Sequence, residues 1–312
     1  MSDRQVLLTN DDGVDSPGLA ALYEELRAVA DVTVVAPAAD QSGVGRSRSR
    51  AVDVDDHEWG YAVHGTPADC AAFGLRGLDR RFDVVVSGCN LGPNCGEYIM
   101  GHSGTVGAAV EAAYLGTPAV AVSAYHREEF FPPNRFTFDL PAQVTRDVVE
   151  RAAGDGDADG DGDADVFDAA DYLSLNVPVE DAGPMRVTEP LADYGVDARD
   201  ATDEERDEYG GAYRLESDYW ARLDQPDRYP TLEQVSRTYP TWSDRAAVVD
   251  GDVSLSALRV PQEPVHDPAI DDFVARYNDV RGALAADGDG AGDAGDVDRG
   301  SGSDVGDAGG DD

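Results

Sequence analysis

The chain has 312 residues, 41% of them hydrophobic, enough for one large domain or for a core with an appendage. Its 63 Asp and Glu stand against 24 basic residues, all arginine, and the formal net charge of -39 excludes nucleic acid polymers and anionic membranes as partners. Surface carboxylate in such excess is a lever that halophilic proteins use to stay soluble in concentrated salt, so charge reports habitat and function must be read from sites.

Met1-Ser2-Asp3-Arg4 carries no basic-apolar-small leader pattern, and no apolar run approaches membrane length, so a soluble cytoplasmic protein is expected. Gln5 to Thr9 is a β-branched, apolar run that ends in Asn10-Asp11-Asp12-Gly13, a strand-to-loop signature. Pro17 and the run Leu19 to Val29 open a helix. Asp31 to Pro37 is a buried strand, followed by the Gly-rich loop Asp40 to Ser47, short strands at Ala51 to Val54 and Tyr61 to His64, and a helix over Ala68 to Leu78 capped by Thr66 with Pro67. Phe82 to Ser87 is a central strand running into the loop Gly88 to Gly96, and Ser103-Gly104-Thr105 opens an Ala-rich helix ending near Gly116. Pro118 to Ser123 is a strand, Asp139 to Ala153 a helix, and Asp171 to Pro178 a strand.

This rhythm predicts an α/β fold: a doubly wound, mostly parallel Rossmann-like sheet with an extended C-terminal excursion or arm. Residues 1–153 form the catalytic core. Residues 154–170 are an acidic, low-complexity insertion, in which Asp157, Asp159, Asp161 and Gly162 match the first half of a calcium loop but Asp168 stands where a bidentate Glu is wanted. Residues 171–284 complete the core, with an irregular stretch from Glu189 to Tyr239 suited to an oligomer arm, a strand at Val253 to Leu258 and helical spacing from Pro268 to Leu284. Residues 285–312, almost all Gly and Asp, are expected to be disordered. Cys70, Cys89 and Cys95 have no metal-ligand spacing and fit a reducing compartment.

Chemistry collects at four loops on one sheet edge: Asn10 to Gly13, Gln41 to Gly45, Gly88 to Gly96 and Ser103 to Gly107. Two adjacent acids repel in a tight turn, and a divalent cation is the usual reason to hold both. Oxygen donors select hard cations such as magnesium or manganese. The Ser-Gly-Thr start of a helix offers N-H groups and a positive dipole end to an anion such as phosphate. Together they suggest hydrolysis of a phosphate ester by a metal-activated water.

Leu7-Leu8-Thr9-Asn10-Asp11-Asp12-Gly13 with Ser16-Pro17-Gly18, Gln41-Ser42-Gly43, Gly65-Thr66-Pro67-Ala68-Asp69-Cys70, Val86-Ser87-Gly88-Cys89-Asn90-Leu91-Gly92 and Ser103-Gly104-Thr105-Val106 resemble, in order, the survival-protein SurE family of nucleotidases. The resemblance covers about the first 125 residues and returns faintly at Leu175-Asn176-Val177-Pro178 and Ser243-Asp244. It implies a divalent-metal-dependent phosphatase acting on nucleoside 5'- and 3'-monophosphates and, in some members, short polyphosphate. One metal ion per subunit, magnesium, manganese or similar, would fall on Asp11, Asp12, Ser42 and Asn90, with Asp11, Asp12 and Asn90 as the catalytic set. Substrate phosphate would meet Ser42, Gly43, Asn94, Ser103, Gly104 and Thr105. Family members form homodimers or homotetramers by exchanging C-terminal segments, which suits Glu189 to Tyr239. His102 departs from the aromatic residue common before Ser103.

Two other classes place acids after the first strand. A haloacid-dehalogenase-type phosphatase needs a nucleophilic Asp where this chain has Asn10, and an amide cannot form the acyl-phosphate. A receiver-like metal and phosphate-binding module needs a lysine, which the chain lacks.

Overall fold

The computed structural model describes residues 4–126, 136–152, 166–192, 194–218, 239–260, 268–270, 272–276 and 278. In chain order the elements are β1 (Gln5–Thr9), α1 (Pro17–Leu26), β2 (Asp31–Pro37), β3 (Asp53–His57), β4 (Gly60–His64), α2 (Pro67–Gly77), β5 (Val84–Leu91), α3 (Glu97–His102), α4 (Gly104–Tyr114), β6 (Ala119–Tyr125), α5 (Asp139–Ala152), β7 (Tyr172–Pro178), β8 (Met185–Val187), β9 (Gly195–Asp200), α6 (Asp203–Tyr209), β10 (Tyr213–Asp218), α7 (Asp244–Asp250) and β11 (Val253–Leu258). Residues up to 261 make one compact unit; the helical backbone at 268–270, 272–276 and 278 belongs to a second, separate unit.

The main sheet runs in the order β3-β4-β2-β1-β5-β6-β7-β11-β8. Its six central strands, β4 to β7 in that order, are parallel; β3 is antiparallel to β4, and β11 to β7. The chain builds outward from β1 through β2 and β4, then returns and builds the other way through β5, β6 and β7. Strand order therefore reverses at β1 and β5, and in such sheets ligands bind at the carboxyl ends beside that switch point.

Apart from β4, the central strands are largely buried on both faces, which is why they read as nearly continuous apolar runs. Along β1 the alternation is sharp. Val6 and Leu8 pack with Leu19, Leu22 and Leu26 of α1 and with Ala142 and Val149 of α5; Leu7 packs on the opposite face with Cys70 and Leu75 of α2 and Val106 and Ala109 of α4. Pro17 occupies the first turn of α1, capped by Ser16, and Thr66 and Asp69 close a capping box at the start of α2.

The largest departure from the sequence expectation is β5. Gly88 to Leu91 continue the strand instead of leaving it, because a register shift between Ser87 and Asn90 absorbs the irregular residues and lets Asn90 pair with Ser123 and Leu91 with Ala124. Gly88 sits at φ +137, and a Cβ there would lie 2.3 Å from the Val122 carbonyl oxygen. The short helices α3 and α7 and the three-residue β8 were not legible, being too brief to show a period. The first edge strand begins at Asp53 instead of Ala51. Between Glu189 and Tyr239 the described part holds an antiparallel ribbon, β9 with β10, bridged by α6. The calcium-like motif through residue 165, the tail 285–312 and most of the helix expected after Pro268 lie outside the described residues. All three cysteines are buried.

Candidate active site

Thr9 at the end of β1 sits in register with Ser87 of β5, so the acidic turn and Asn90 leave the same sheet edge as neighbours. Asn10 shapes the turn: its Nδ2 donates to the Gly13 carbonyl at 2.8 Å and to Ser16 Oγ at 2.7 Å. Its Oδ1 is buried without a hydrogen-bond partner. Asp11, only 3% exposed, points at the start of α4, where the Thr105 hydroxyl donates to Oδ1 at 2.6 Å and the Thr105 N-H to Oδ2 at 3.0 Å. The Asp11 carbonyl accepts from the Gln41 N-H at 2.7 Å, which docks the second loop onto the first.

Within that second loop the Ser42 N-H and hydroxyl both donate to Asp40 Oδ1, at 2.8 and 2.6 Å. Asn90 Nδ2 donates to the Gly92 carbonyl at 2.7 Å, so its oxygen is the atom available to a cation. Asn94 is held at both ends: its N-H donates to Asn176 Oδ1 at 2.8 Å and its Nδ2 to Ser123 Oγ at 2.9 Å. Ser103 caps α4 by accepting from the Val106 N-H at 3.1 Å. Gly104 is required by close approach, since a Cβ there would lie 2.8 Å from Asp11 Cβ. Gly43 is an exposed turn residue at φ +76.

Charge at the site is uncompensated. Burial is the main cause that pushes the Asp12 carboxyl up to about 7, with Asp11 and Asp40 adding repulsion. Burial likewise raises Asp11, although donation from Thr105 opposes it. Among the described residues no arginine or histidine forms an ion pair with Asp11, Asp12 or Asp40. The nearby arginines are committed elsewhere: Arg48 to Glu111 at 2.6 Å and Asp69 at 3.2 Å, and Arg46 to Glu111 at 3.6 Å. Burial alone would raise Asp69, but donors from Thr66 and Ser49 outweigh it and hold its carboxyl below the usual range, which makes it a structural anion.

This donor set fits a hard divalent cation. The carboxylates of Asp11 and Asp12, the Ser42 hydroxyl and the Asn90 amide oxygen are all oxygens, and the repulsion among buried acids is what a cation relieves. No group of three or more His, Cys, Asp or Glu side chains that could hold a metal occurs among the described residues, so an ion here would need the neutral oxygens too.

Sequence reasoning missed Asp40, which pins Ser42 and repels Asp12. Its signal was present as an Asp two residues before a Ser, the pattern of an Asx turn. It missed Ser123, and although it singled out the motifs that contain Asn176 and Asp244 it assigned them no role, because only folding brings β6, β7 and α7 to the loop where Asn176 and Ser123 hold Asn94 and the Asp244 carboxylate accepts from the Gly96 N-H at 2.6 Å.

A doubly wound α/β protein with an all-oxygen acidic site at its switch point, joined directly to a helix N-terminus, is the class that fold and site define. The chain belongs to the SurE family: the model for survival protein SurE matches residues 6–195. It is 46% identical to the 5'-nucleotidase SurE of Natronomonas pharaonis over 82% of this chain and 93% of that one, and 43% identical to the Halobacterium salinarum protein of the same name over 88% and 98%. The crystal structure of the SurE protein from Aquifex aeolicus superposes with a TM-score of 0.61 at 28% identity, covering 83% of this chain and 94% of that one.

Proposed function

We propose that this protein is a divalent-metal-dependent 5'-nucleotidase that also accepts 3'-monophosphates, releasing nucleoside and inorganic phosphate. The observation that carries the reading is the junction of Asp11 with Thr105, which fastens the acid pair to the first turn of α4. Of the first N-H groups of α4, that of Thr105 serves Asp11, that of Val106 the Ser103 hydroxyl and that of Gly107 the Ser103 carbonyl. The Gly104 N-H is left to meet a phosphate oxygen, aided by the positive end of the helix.

Asp11, Asp12, Ser42 and Asn90 would hold the cation, which supplies Lewis acidity to the phosphoryl oxygens and lowers the pKa of water. Thr105 acts as a positioning residue that fixes both oxygens of Asp11. Asn94, with its amide tied to Ser123, stands as a further phosphate contact. Water is the nucleophile, because Asn10 stands where a covalent route needs an acid.

Phosphate release from a panel of nucleoside 5'- and 3'-monophosphates in concentrated potassium chloride tests this. Activity should require manganese or magnesium and disappear in excess EDTA. Asp11→Ala and Asp12→Ala should each lower kcat/KM by more than a hundredfold, with the thermal midpoint nearly kept in Asp12→Ala but lowered in Asp11→Ala, which leaves the buried Thr105 donors without their acceptor. Rates within tenfold of the wild type at saturating metal would refute the assignment.

We also propose that the ribbon β9–β10 mediates a homodimer or homotetramer. Its register puts Val196, Ala198, Tyr213 and Leu215 on one face, while Arg199 and Glu216 pair on the other. Val196, Tyr213 and Leu215 are 52%, 69% and 67% exposed in the single chain, an apolar face that a partner would cover.

A further inference from the structure

Segment 95–102 joins the two places assigned to substrate phosphate, Asn94 on one side and Ser103 to Thr105 on the other. Its body is α3, a helix of six residues, too short to hold a direction by itself. The angle at which it delivers Ser103 to the start of α4 must come from what grips its ends. Asn94 is gripped by Ser123 and Asn176. The next grip is Asp244, 1% exposed and 148 positions along the chain from Gly96.

Asp244 Oδ2 accepts from the Gly96 N-H at 2.6 Å, and Oδ1 accepts from the Leu191 N-H at 3.2 Å and the Arg245 N-H at 2.7 Å. The Leu191 carbonyl in turn accepts from the Glu97 N-H at 3.1 Å, so one carboxylate holds the entry to α3 both directly and through Leu191. Gly96 turns the chain into that helix at φ +81, and a Cβ there would lie 2.6 Å from an Arg245 guanidinium nitrogen. Burial pushes the Asp244 carboxyl up, while the three N-H donors and the neighbouring guanidinium oppose it. A buried charge is a costly way to tie a loop, and α7 does not need it as a cap, because Ser243 Oγ already accepts from the Ala246 N-H at 3.1 Å. What the carboxylate adds is two oxygens that receive N-H groups from three separate segments.

We infer that Asp244 is a positioning residue for phosphate: it sets the course of the chain from Asn94 through α3, and so the alignment of Asn94 and the Gly104 N-H on one phosphoryl group. The inference rests on the nucleotidase reading, which makes those two groups phosphate contacts, and adds the residue that aligns them. The cation ligands stand on other segments, the turn after β1, the Gln41 to Gly45 loop and Asn90. Loss of the grip should therefore separate phosphate binding from metal binding.

Asp244→Asn keeps the shape but leaves one acceptor oxygen, so its NH2 group must face N-H donors on one side. Gly96→Ala strains the same contact from the loop. Calorimetric titration of the full chain in concentrated potassium chloride, with magnesium and then with methylphosphonate at saturating magnesium, reads the two affinities. Each variant should bind methylphosphonate at least tenfold more weakly with magnesium affinity within twofold of wild type. The double variant should lose little more than the more damaged single one, since both break one contact. A smaller loss of methylphosphonate affinity in a folded variant, or an equal loss of both affinities, would overturn the inference. So would failure of both variants to fold by circular dichroism, which would make Asp244 a support of the fold alone. Asn94→Ala tests the reading beneath: methylphosphonate binding as in wild type would defeat the phosphate assignment, whereas a loss there with none in Asp244→Asn would defeat the positioning role alone.

Discussion

Asp11 and Asp12 are adjacent in sequence yet meet opposite surroundings. Two donors from Thr105 satisfy Asp11, while Asp12 has burial and two like charges and no cation. With its carboxyl pushed up to about 7, metal-free protein keeps a proton on Asp12 below that pH, and a cation must displace it. Manganese affinity should therefore rise roughly tenfold per unit from about pH 5.5 and level off above about 7, as titrations across that range would show. The sign for stability runs the other way: a folded value above the ordinary 3.8 means that metal-free protein loses stability as pH climbs from about 4 through about 7. Asp12→Asn should flatten that component in thermal melts with EDTA. Thr105→Val removes the hydroxyl from a buried carboxylate, and a stability loss of about 1–3 kcal/mol with weaker metal binding is expected, whereas Thr105→Ser should keep both. The position of the acid pair was legible, because a β-branched run ending in Asn-Asp-Asp-Gly marks the end of a strand. The division of labour between them was not, since it depends on a residue 94 positions away.

At the scale of elements, legibility followed length and burial. β1, β2, β6 and β7 are long apolar runs enclosed on both faces, and their sequence limits agree with the structure to within two residues. β5 was cut short at Ser87 because Gly88, Asn90 and Gly92 are turn formers by composition, and only pairing with β6 overrides that preference. α7 has seven residues, too few for a hydrophobic stripe, although its cap Ser243 and its left-handed Gly251 are ordinary boundary signals. The ribbon β9–β10 looked irregular because its alternation is broken by α6. Its uncovered face yields a prediction: Leu215→Glu should shift the protein to a smaller species in light scattering after size exclusion, with the monomer fold retained. An unchanged mass would mean that this face does not carry the assembly.

Over the whole molecule, the doubly wound topology followed from strand and helix alternation, since right-handed crossovers leave few ways to join parallel strands. The acidic surface follows from no packing rule. Arg46, Arg48, Arg146 and Arg186 pair with acids, but 63 acidic residues against 24 basic ones leave carboxylates in large excess. With a formal charge of -39, their repulsion reaches about 30 Å at 0.01 M ionic strength but only about 3 Å at 1 M. Dilution should therefore expose a repulsion that concentrated salt hides, and the kinship with proteins of Natronomonas pharaonis and Halobacterium salinarum accords with a chain adapted to such salt. Circular dichroism melts from about 0.01 M to several molar potassium chloride should show the midpoint climbing steeply at first, where screening changes most, and then more gently. Activity should be lost at the low end together with structure, and a midpoint that stays flat or falls with salt would show that the acidity serves another purpose.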